Sequence, residues 1–267
     1  MVAQLPSPTT TPPTPPELDS IHYPDSDGQP MADNTKQFRW ITIIQYNLDW
    51  LFAQKPQVFV AGDLLWYPVQ GNNKLRQAPD VMVAFGVPKG DRGSYQQWKE
   101  NGIAPQVVFE ILSPGNTLKE MQRKQIFYDR YGVEEYYVYD PDRNDLSGCL
   151  RGDTGLEIID TLDHWISPRL GIHFQPTATD LQLLHPDGTP FASYAEVSQQ
   201  LEQTLVALAT TQHQADQERQ RADQERVRAE QERLRAEQEQ QRAEQERLRA
   251  DRLAQRLRDL GLDPDQP

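Results

Sequence analysis

The strongest constraint on the fold of this chain is a pair of short apolar runs that each carry a carboxylate at one end. Asp80 precedes the run VMVAF, and Glu110 follows VVF within the run QVVFEIL. Short apolar runs are typical of buried strands, and the second run favours a central strand covered on both faces. A carboxylate at the rim of a buried strand costs free energy unless a cation meets it. The two runs therefore predict a buried sheet with an acidic site at its rim.

Regular elements are also predicted on the N-terminal side of these runs. Apolar residues recur at three- and four-residue steps from Phe38 to Phe52, which predicts an amphipathic helix with Asp33 or Asn34 as its N-cap. The next segment, QVFVAGDLLWYPV, reads as one kinked strand or two short strands. Asp63 lies between its apolar halves, either as a turn residue or as an additional acidic group near a site.

A helix and a further strand follow Glu110. The turn SPGNT ends the second run, and Asn116 or Thr117 can cap a helix that ends before Gly132. The residues VEEYYVY then predict another strand. The segment between the two runs, residues 86–104, is rich in glycine and polar residues, so we expect a loop there.

Composition divides the chain into three segments. Residues 1–30 are rich in Pro and Thr and predict a disordered tail, residues 31–185 a globular domain, and residues 190–260 a charged helix. No apolar run is long enough to cross a membrane, and no signal-peptide pattern is present, so we expect a cytoplasmic protein without membrane contact. The single Cys149 excludes an internal disulfide and a cysteine-rich zinc site.

The charged helix is built on a seven-residue repeat. Alanine recurs at every seventh position from Ala215 to Ala250, and a second column holds Val227, Leu234 and Leu248. The two columns are two or five residues apart, so the apolar seam is thin for a coiled coil. Pairs of Arg and Glu four residues apart support the helix itself. Either a weak coiled coil that makes the protein a homo-oligomer or a solvated single helix fits this pattern.

Asp80, Glu110 and Lys124 together suggest metal-dependent chemistry. Two carboxylates from neighbouring strand ends can hold Mg²⁺, which prefers oxygen ligands and keeps several waters. A nearby lysine can stabilise an anionic transition state or orient the attacking group. The alternative is structural: Asp80 would cap a turn, Glu110 would form a salt bridge, and Lys124 would be solvated.

The order of these residues resembles a family of restriction-endonuclease-like proteins in the PD-(D/E)xK nuclease superfamily, abundant in photosynthetic bacteria. The matching residues are Pro79, Asp80, Glu110, Ser113, Pro114, Lys124, Tyr128, Gly132, Val133, Glu135, Tyr136, Asp140 and Pro141. The resemblance implies a restriction-endonuclease-like α/β fold with a mixed central sheet flanked by helices. It also implies Mg²⁺-dependent hydrolysis of DNA, that is, an endodeoxyribonuclease. It implies that Asp80 and Glu110 are catalytic metal ligands and that Lys124 is the catalytic lysine. The usual lysine position, two residues after the glutamate, is here Leu112.

Four neighbouring residues have open roles at this stage. Lys119 is an alternative to Lys124 but lies elsewhere on the predicted helix. Glu120 is either a further acidic group or, by our preferred interpretation, the partner of Lys124. Ser113 either caps the turn or contacts the site, and Tyr128 belongs either to the core or to the site.

Net charge limits how this chain can bind DNA. The whole chain carries a formal net charge of −13, and residues 31–185 hold 15 Lys and Arg against 19 Asp and Glu. Phosphate binding would need a local basic patch, which the loops around the site could provide. The candidates are Lys74, Arg76, Lys89, Arg92 and Lys99. An alternative function is a catalytically weak or inactive nuclease-fold interaction module that assembles through its helical tail.

Overall fold

The computed structural model describes residues 21–259, which form two compact units that end and begin at Val197 and Ser198. The helices are α1 (Thr35–Leu51), α2 (Leu118–Arg130) and α3 (Tyr194–Asp259). The strands are β1 (Val58–Gly62), β2 (Trp66–Tyr67), β3 (Val81–Phe85), β4 (Tyr95–Gln96), β5 (Val107–Ile111), β6 (Glu135–Asp140), β7 (Asp145–Arg151), β8 (Leu156–Ile158), β9 (His173–Pro176) and β10 (Leu181–Leu184).

Six strands form the central sheet in the order β1-β3-β5-β6-β7-β8. Only β5 and β6 pair in parallel, joined by the crossover helix α2, and the other neighbours are antiparallel. Two small pairs, β2 with β4 and β9 with β10, complete the first unit. The predicted mixed central sheet is confirmed, and its connection through α2 follows from the need of parallel strands for a long crossover.

Each face of the sheet carries its own apolar core. Helix α1 covers one face, where Ile41, Ile44 and Leu48 are almost fully buried against β1, β3 and β5. Tyr128 of α2 packs on the other face, together with Trp66 and other aromatic residues. Because side chains alternate along a strand, β1, β3, β5 and β6 each supply buried residues to both cores.

The predicted helix caps are present. The side chain of Asn34 accepts hydrogen bonds from the backbone N–H groups of Lys36 and Gln37 at the start of α1. Thr117 caps α2 by accepting from the N–H of Glu120. Gly132 follows the end of α2 with a φ of 93°, a left-handed conformation that glycine adopts without steric cost. The cap at Thr117 fixes where α2 begins, and therefore where Lys124 lies.

The segment between β3 and β5 is more ordered than the sequence predicts. It contains β4 and a short 3₁₀ turn, Gln97–Lys99. The side chain of Trp66 donates a hydrogen bond to Gln97 across 3.1 Å, which holds this segment against β2. The glycine content of residues 86–104 predicted a loop, because glycine content carries no information about hydrogen bonds from aromatic side chains such as Trp66.

Residues 1–20 of the predicted N-terminal tail lie outside the described residues. Within residues 21–30, the hydroxyl of Tyr23 accepts a hydrogen bond from the N–H of Gly71, and the carbonyl of Pro24 accepts one from the hydroxyl of Tyr67. The ring of Tyr23 also lies 4.9 Å from that of Trp98. These contacts join the segment to the loops beside β2.

Helix α3 has 66 residues and no buried side chain. Of the Arg–Glu pairs four residues apart that the repeat offers, only Arg233 and Glu237 form an ion pair in the described helix, with atoms 3.6 Å apart. The long predicted helix is therefore confirmed, whereas its expected series of i,i+4 ion pairs is mostly not formed. No helix among residues 21–259 has the length and apolar character needed to cross a membrane.

Candidate functional site

Strand register brings three carboxylates together on the α2 face of the sheet. Val81 of β3 is opposite Phe109 of β5, so one further step along the antiparallel pair puts Asp80 opposite Glu110. Gly62 of β1 is opposite Val81, and the same step puts Asp63 opposite Asp80. The backbone N–H of Asp63 donates to the carbonyl of Asp80 across 3.2 Å, which continues the ladder.

Glu110 is the most deeply buried of the three, with 1% of its surface exposed. The ammonium of Lys124 donates to Oε2 of Glu110 at 2.7 Å, and the hydroxyl of Tyr128 donates to Oε1. Lys124 and Tyr128 are four residues apart, so both project from one face of α2 onto the same carboxylate. The structure thus brings together the three residues predicted as catalytic.

Asp80 lies in an environment that disfavours its negative charge. Burial raises the pKa of its carboxyl well above the usual range, and the nearby charge of Glu110 raises it further. Lys124 and the N–H of Ile111, which donates to Oδ2 at 2.6 Å, act in the opposite direction. The other oxygen, Oδ1, accepts no hydrogen bond from residues 21–259. Asp80 is therefore a buried carboxylate with one oxygen open to a ligand.

The pKa values of the neighbouring groups indicate excess negative charge. Burial acts to lower the pKa of Lys124, but the charges of Glu110 and Asp80 outweigh it and raise the pKa to about 12. Burial raises the pKa of Glu110 itself, although Lys124 opposes the effect. Lys124 is therefore a permanently charged ammonium, and one cation is shared among several carboxylates.

Asp63 is the site residue that the sequence left ambiguous. Its φ of 47° is left-handed, as expected for a turn residue after β1, so the turn interpretation is correct. Burial raises the pKa of its carboxyl, as do the charges of Asp27 and Glu110, whereas Lys124 lowers it. Asp63 therefore belongs to the electrostatic environment of the site as well. The only sequence signal for this was its position at the end of an apolar run.

The residues with open roles are now placed. Leu112 lies one residue beyond the end of β5, and the ammonium absent at this position is supplied by Lys124 from α2. Glu120 accepts from the side chain of Asn116 at 3.2 Å and makes no ion pair or hydrogen bond with Lys124 among the described residues, but its charge, after those of Glu110 and Asp80, acts to raise the pKa of Lys124. The hydroxyl of Ser113 donates to Asp33 at 2.5 Å and accepts from the N–H of Gly115. Ser113 thus orders the turn before α2.

Tyr128 combines the two roles considered for it. Its side chain is fully buried and stacks parallel to Trp66 in the core, with the ring centroids 6.2 Å apart. Its hydroxyl reaches Glu110, and burial together with the charge of Glu110 raises the pKa of that hydroxyl well above the usual range. Tyr128 is therefore a neutral donor at the site. Lys119 is exposed on another side of α2.

The predicted basic patch is largely engaged within the protein. Lys89 pairs with Asp49 at 2.9 Å, and Arg92 pairs with Glu100 at 2.7 Å while lying over the ring of Phe59. Lys74 and Lys99 are exposed in the loops. A continuous basic surface made of all five predicted residues is therefore not formed in this conformation.

The donor set suits a hard divalent cation. No group of three or more His, Cys, Asp or Glu residues is arranged to hold a metal within the described part of the chain. Asp80 and Glu110 remain as a facing pair of carboxylates, and Oδ1 of Asp80 accepts no hydrogen bond from residues 21–259. Mg²⁺ is commonly held by one or two carboxylates plus waters, and the excess negative charge around Lys124 favours a cation. The residues present therefore fit Mg²⁺.

Comparison with known proteins identifies the family. The model of the family Uma2, described as "Putative restriction endonuclease", matches residues 19–183. A crystal structure of a "putative nuclease belonging to DUF820" from Anabaena variabilis ATCC 29413 is 16% identical; the match covers 59% of this chain and 89% of that chain, with a TM-score of 0.40. No similar protein was found among curated proteins. Because the family model spans more than half of the chain, this protein belongs to the Uma2 family.

Proposed function

We propose that this protein is a Mg²⁺-dependent endonuclease that hydrolyses DNA phosphodiester bonds. The observation that supports the proposal most is the contact of Lys124 with Glu110 at 2.7 Å, beside the facing carboxylate of Asp80. Two carboxylates on one rim of a sheet, with an ammonium from α2 beside them, match what phosphodiester hydrolysis needs. Membership in the Uma2 family supports the same reaction class.

Each residue has a distinct role in this proposal. Asp80 and Glu110 would hold Mg²⁺, which when bound neutralises phosphate charge and lowers the pKa of a coordinated water. Lys124 holds a positive charge where the negative charge of the transition state develops, and it orients the attacking water. Tyr128 fixes the carboxylate of Glu110, and the N–H of Ile111 fixes that of Asp80. A side-chain hydroxyl and a backbone N–H thereby preorganise the two ligands before substrate arrives.

The proposal is tested by cleavage of single- and double-stranded DNA in the presence of Mg²⁺ or of EDTA. The wild type should cleave only with Mg²⁺, and Asp80→Asn and Glu110→Gln should each reduce the rate by at least about a hundredfold. Lys119→Met, on an exposed position of α2, is the control and should cleave at the wild-type rate. Cleavage by either carboxylate variant at the wild-type rate would show that the assignment is wrong.

A second candidate function is supported by the fully engaged carboxylate of Glu110. Both of its oxygens accept hydrogen bonds from protein donors, an arrangement that is also stable without metal. The fold would then serve as a protein-binding module with an inactive site. Calorimetric titration with Mg²⁺ distinguishes the two functions. The endonuclease should bind Mg²⁺ in the wild type and lose binding in Asp80→Asn, whereas the module should show no binding in either.

A further inference from the structure

Helix α3 carries a long apolar column along one face. Every seventh residue from Leu201 to Leu257 is Leu or Ala, with leucines at 201, 208 and 257 and alanines at the six positions between. The column therefore continues beyond the alanine repeat into larger apolar residues at both ends. Leu201, Leu208 and Leu257 are 59%, 54% and 37% exposed. A column of this length, about 85 Å at 1.5 Å per residue, has no covering element on the described helix.

The spacing itself points to a supercoiled partner. A straight helix has 3.6 residues per turn, so residues seven apart drift by about 20° with each repeat. Over eight repeats the column would wind almost halfway around an isolated helix. It forms one continuous face only when the helix supercoils left-handedly against another helix. The seven-residue period thus favours a helical partner over a solvated single helix.

Two rows of opposite charge flank the column. Three residues after each alanine from 215 to 243 stands a glutamate, from Glu218 to Glu246, and four residues after stands an arginine at 219, 226, 233 and 247. Residues three and four positions away lie on opposite sides of the column, so one edge of the face is acidic and the other is basic. The described helix forms no ion pair between these two rows.

From this charge pattern we propose that α3 pairs with α3 of a second copy as a parallel, in-register two-stranded coiled coil. In a parallel pair, the two-fold axis runs along the helices and brings the acidic edge of each copy against the basic edge of the other. In an antiparallel pair, the two-fold axis is perpendicular to the helices. It brings the acidic edges of the two copies together and the basic edges together, with Glu facing Glu and Arg facing Arg. Charge complementarity therefore selects both the occupant of this face and its orientation.

The alanines and the leucines of the column have different roles in this contact. Small side chains along the middle of the column let the two helices approach closely, which brings the charged edges within reach of each other. The larger apolar residues at the ends, with Leu205 and Leu253 beside the column, provide most of the buried apolar area. Val227 and Leu234 lie on another face and are not needed for this contact. The thin seam noted in the sequence is therefore sufficient when alanine forms its centre.

Cysteine cross-linking of the full-length chain tests the orientation. Under mild oxidation, Ala222→Cys and Ala236→Cys should each form a covalent dimer with itself. Gln231→Cys, on the opposite face of the helix, is the matched control and should stay uncross-linked, as should the wild type, whose Cys149 is buried. An antiparallel pair would instead cross-link a mixture of the two alanine variants and neither alone, and that result would overturn the proposal.

Charge reversal and mass measurement test the pairing. The wild type should sediment as a dimer at micromolar concentration, and a monomer or trimer would overturn the proposal. The triple variant Arg226→Glu, Arg233→Glu, Arg247→Glu has two acidic edges and should dissociate at least about tenfold more readily. The triple variant Glu225→Arg, Glu232→Arg, Glu246→Arg has two basic edges and should dissociate more readily to the same extent. Mixing the two triple variants should restore a dimer. Failure of the mixture to associate would also overturn the proposal.

Discussion

The backbone N–H of Ile111 donates a hydrogen bond to the carboxylate of Asp80, with 2.6 Å between the two atoms. Ile111 directly follows Glu110, so this one bond ties the rim of β3 to the rim of β5 at the candidate site. It holds Asp80 close to a second carboxylate, against electrostatic repulsion. The consequences of that repulsion can be measured without knowing the substrate.

Asp80→Asn should stabilise the protein at neutral pH when no metal is present. The pKa of Asp80 is higher in the folded than in the unfolded state, because of burial and the charge of Glu110. The folded state therefore binds the proton more tightly, and the free energy of unfolding falls as pH rises from the ordinary value of 3.8 through the folded pKa. An asparagine side chain cannot ionise, so the free energy of unfolding of the Asp80→Asn variant does not fall in this way.

Thermal unfolding in EDTA at a series of pH values checks this prediction. The melting temperature of Asp80→Asn relative to wild type should increase by a few degrees as pH rises from about 4, and then level off. Added Mg²⁺ should stabilise the wild type alone. A difference that is constant with pH would contradict the assigned direction of the pKa shift.

Lys124→Met should abolish activity and reduce stability at neutral pH. The substitution keeps the apolar stem but leaves Glu110 and Asp80 without their cation, and removing one partner of a buried pair costs about 3–5 kcal/mol. Lys119→Met is the matched control on the same helix. Denaturant unfolding and cleavage assays check both effects, and equal stability of the two variants would show that Lys124 is not electrostatically coupled to the carboxylates.

Tyr128→Phe should show how much the hydrogen bond to Glu110 contributes to stability, because the variant keeps the packing of the ring. Loss of the hydroxyl leaves Oε1 of Glu110 without its donor, which should cost about 1–3 kcal/mol of stability. Tyr136→Phe is the control, because the Tyr136 hydroxyl is buried without a hydrogen-bond partner in residues 21–259. That variant should be as stable as wild type or more so, as measured by chemical denaturation.

Part of this site was predictable from sequence because its geometry is local. Strand periodicity and the cap at Thr117 place Glu110 and Lys124, which are only 14 residues apart, on facing surfaces. Asp63 was ambiguous because its place opposite Asp80 depends on the register of β1 and β3, which no short pattern specifies. The intrahelical ion pairs of α3 were overestimated because exposed side chains gain little by pairing within one helix.

Some contacts between residues far apart in the chain escaped sequence reasoning altogether. Glu135 is fully buried and accepts hydrogen bonds from the hydroxyls of Tyr137 and Ser167 and from the N–H of Arg169. Ser167 and Arg169 are more than 30 residues away in the chain, in a segment without strong periodicity. The sequence showed an alternating strand at Glu135 but no sign of the groups that satisfy its carboxylate.

Glu135→Ala should therefore destabilise the protein far more than Glu134→Ala. Removing the Glu135 carboxylate leaves several buried donors without an acceptor, each costing about 1–3 kcal/mol, so we expect a total loss of at least about 3 kcal/mol. Glu134 forms an ion pair with Arg169 at 2.5 Å, but both side chains are partly exposed, and such pairs contribute about 1 kcal/mol or less. Urea unfolding of both variants measures the difference. Similar losses of stability in the two variants would mean that the donors around Glu135 bind water or other acceptors. Strand β6 would then be held mainly by its apolar contacts.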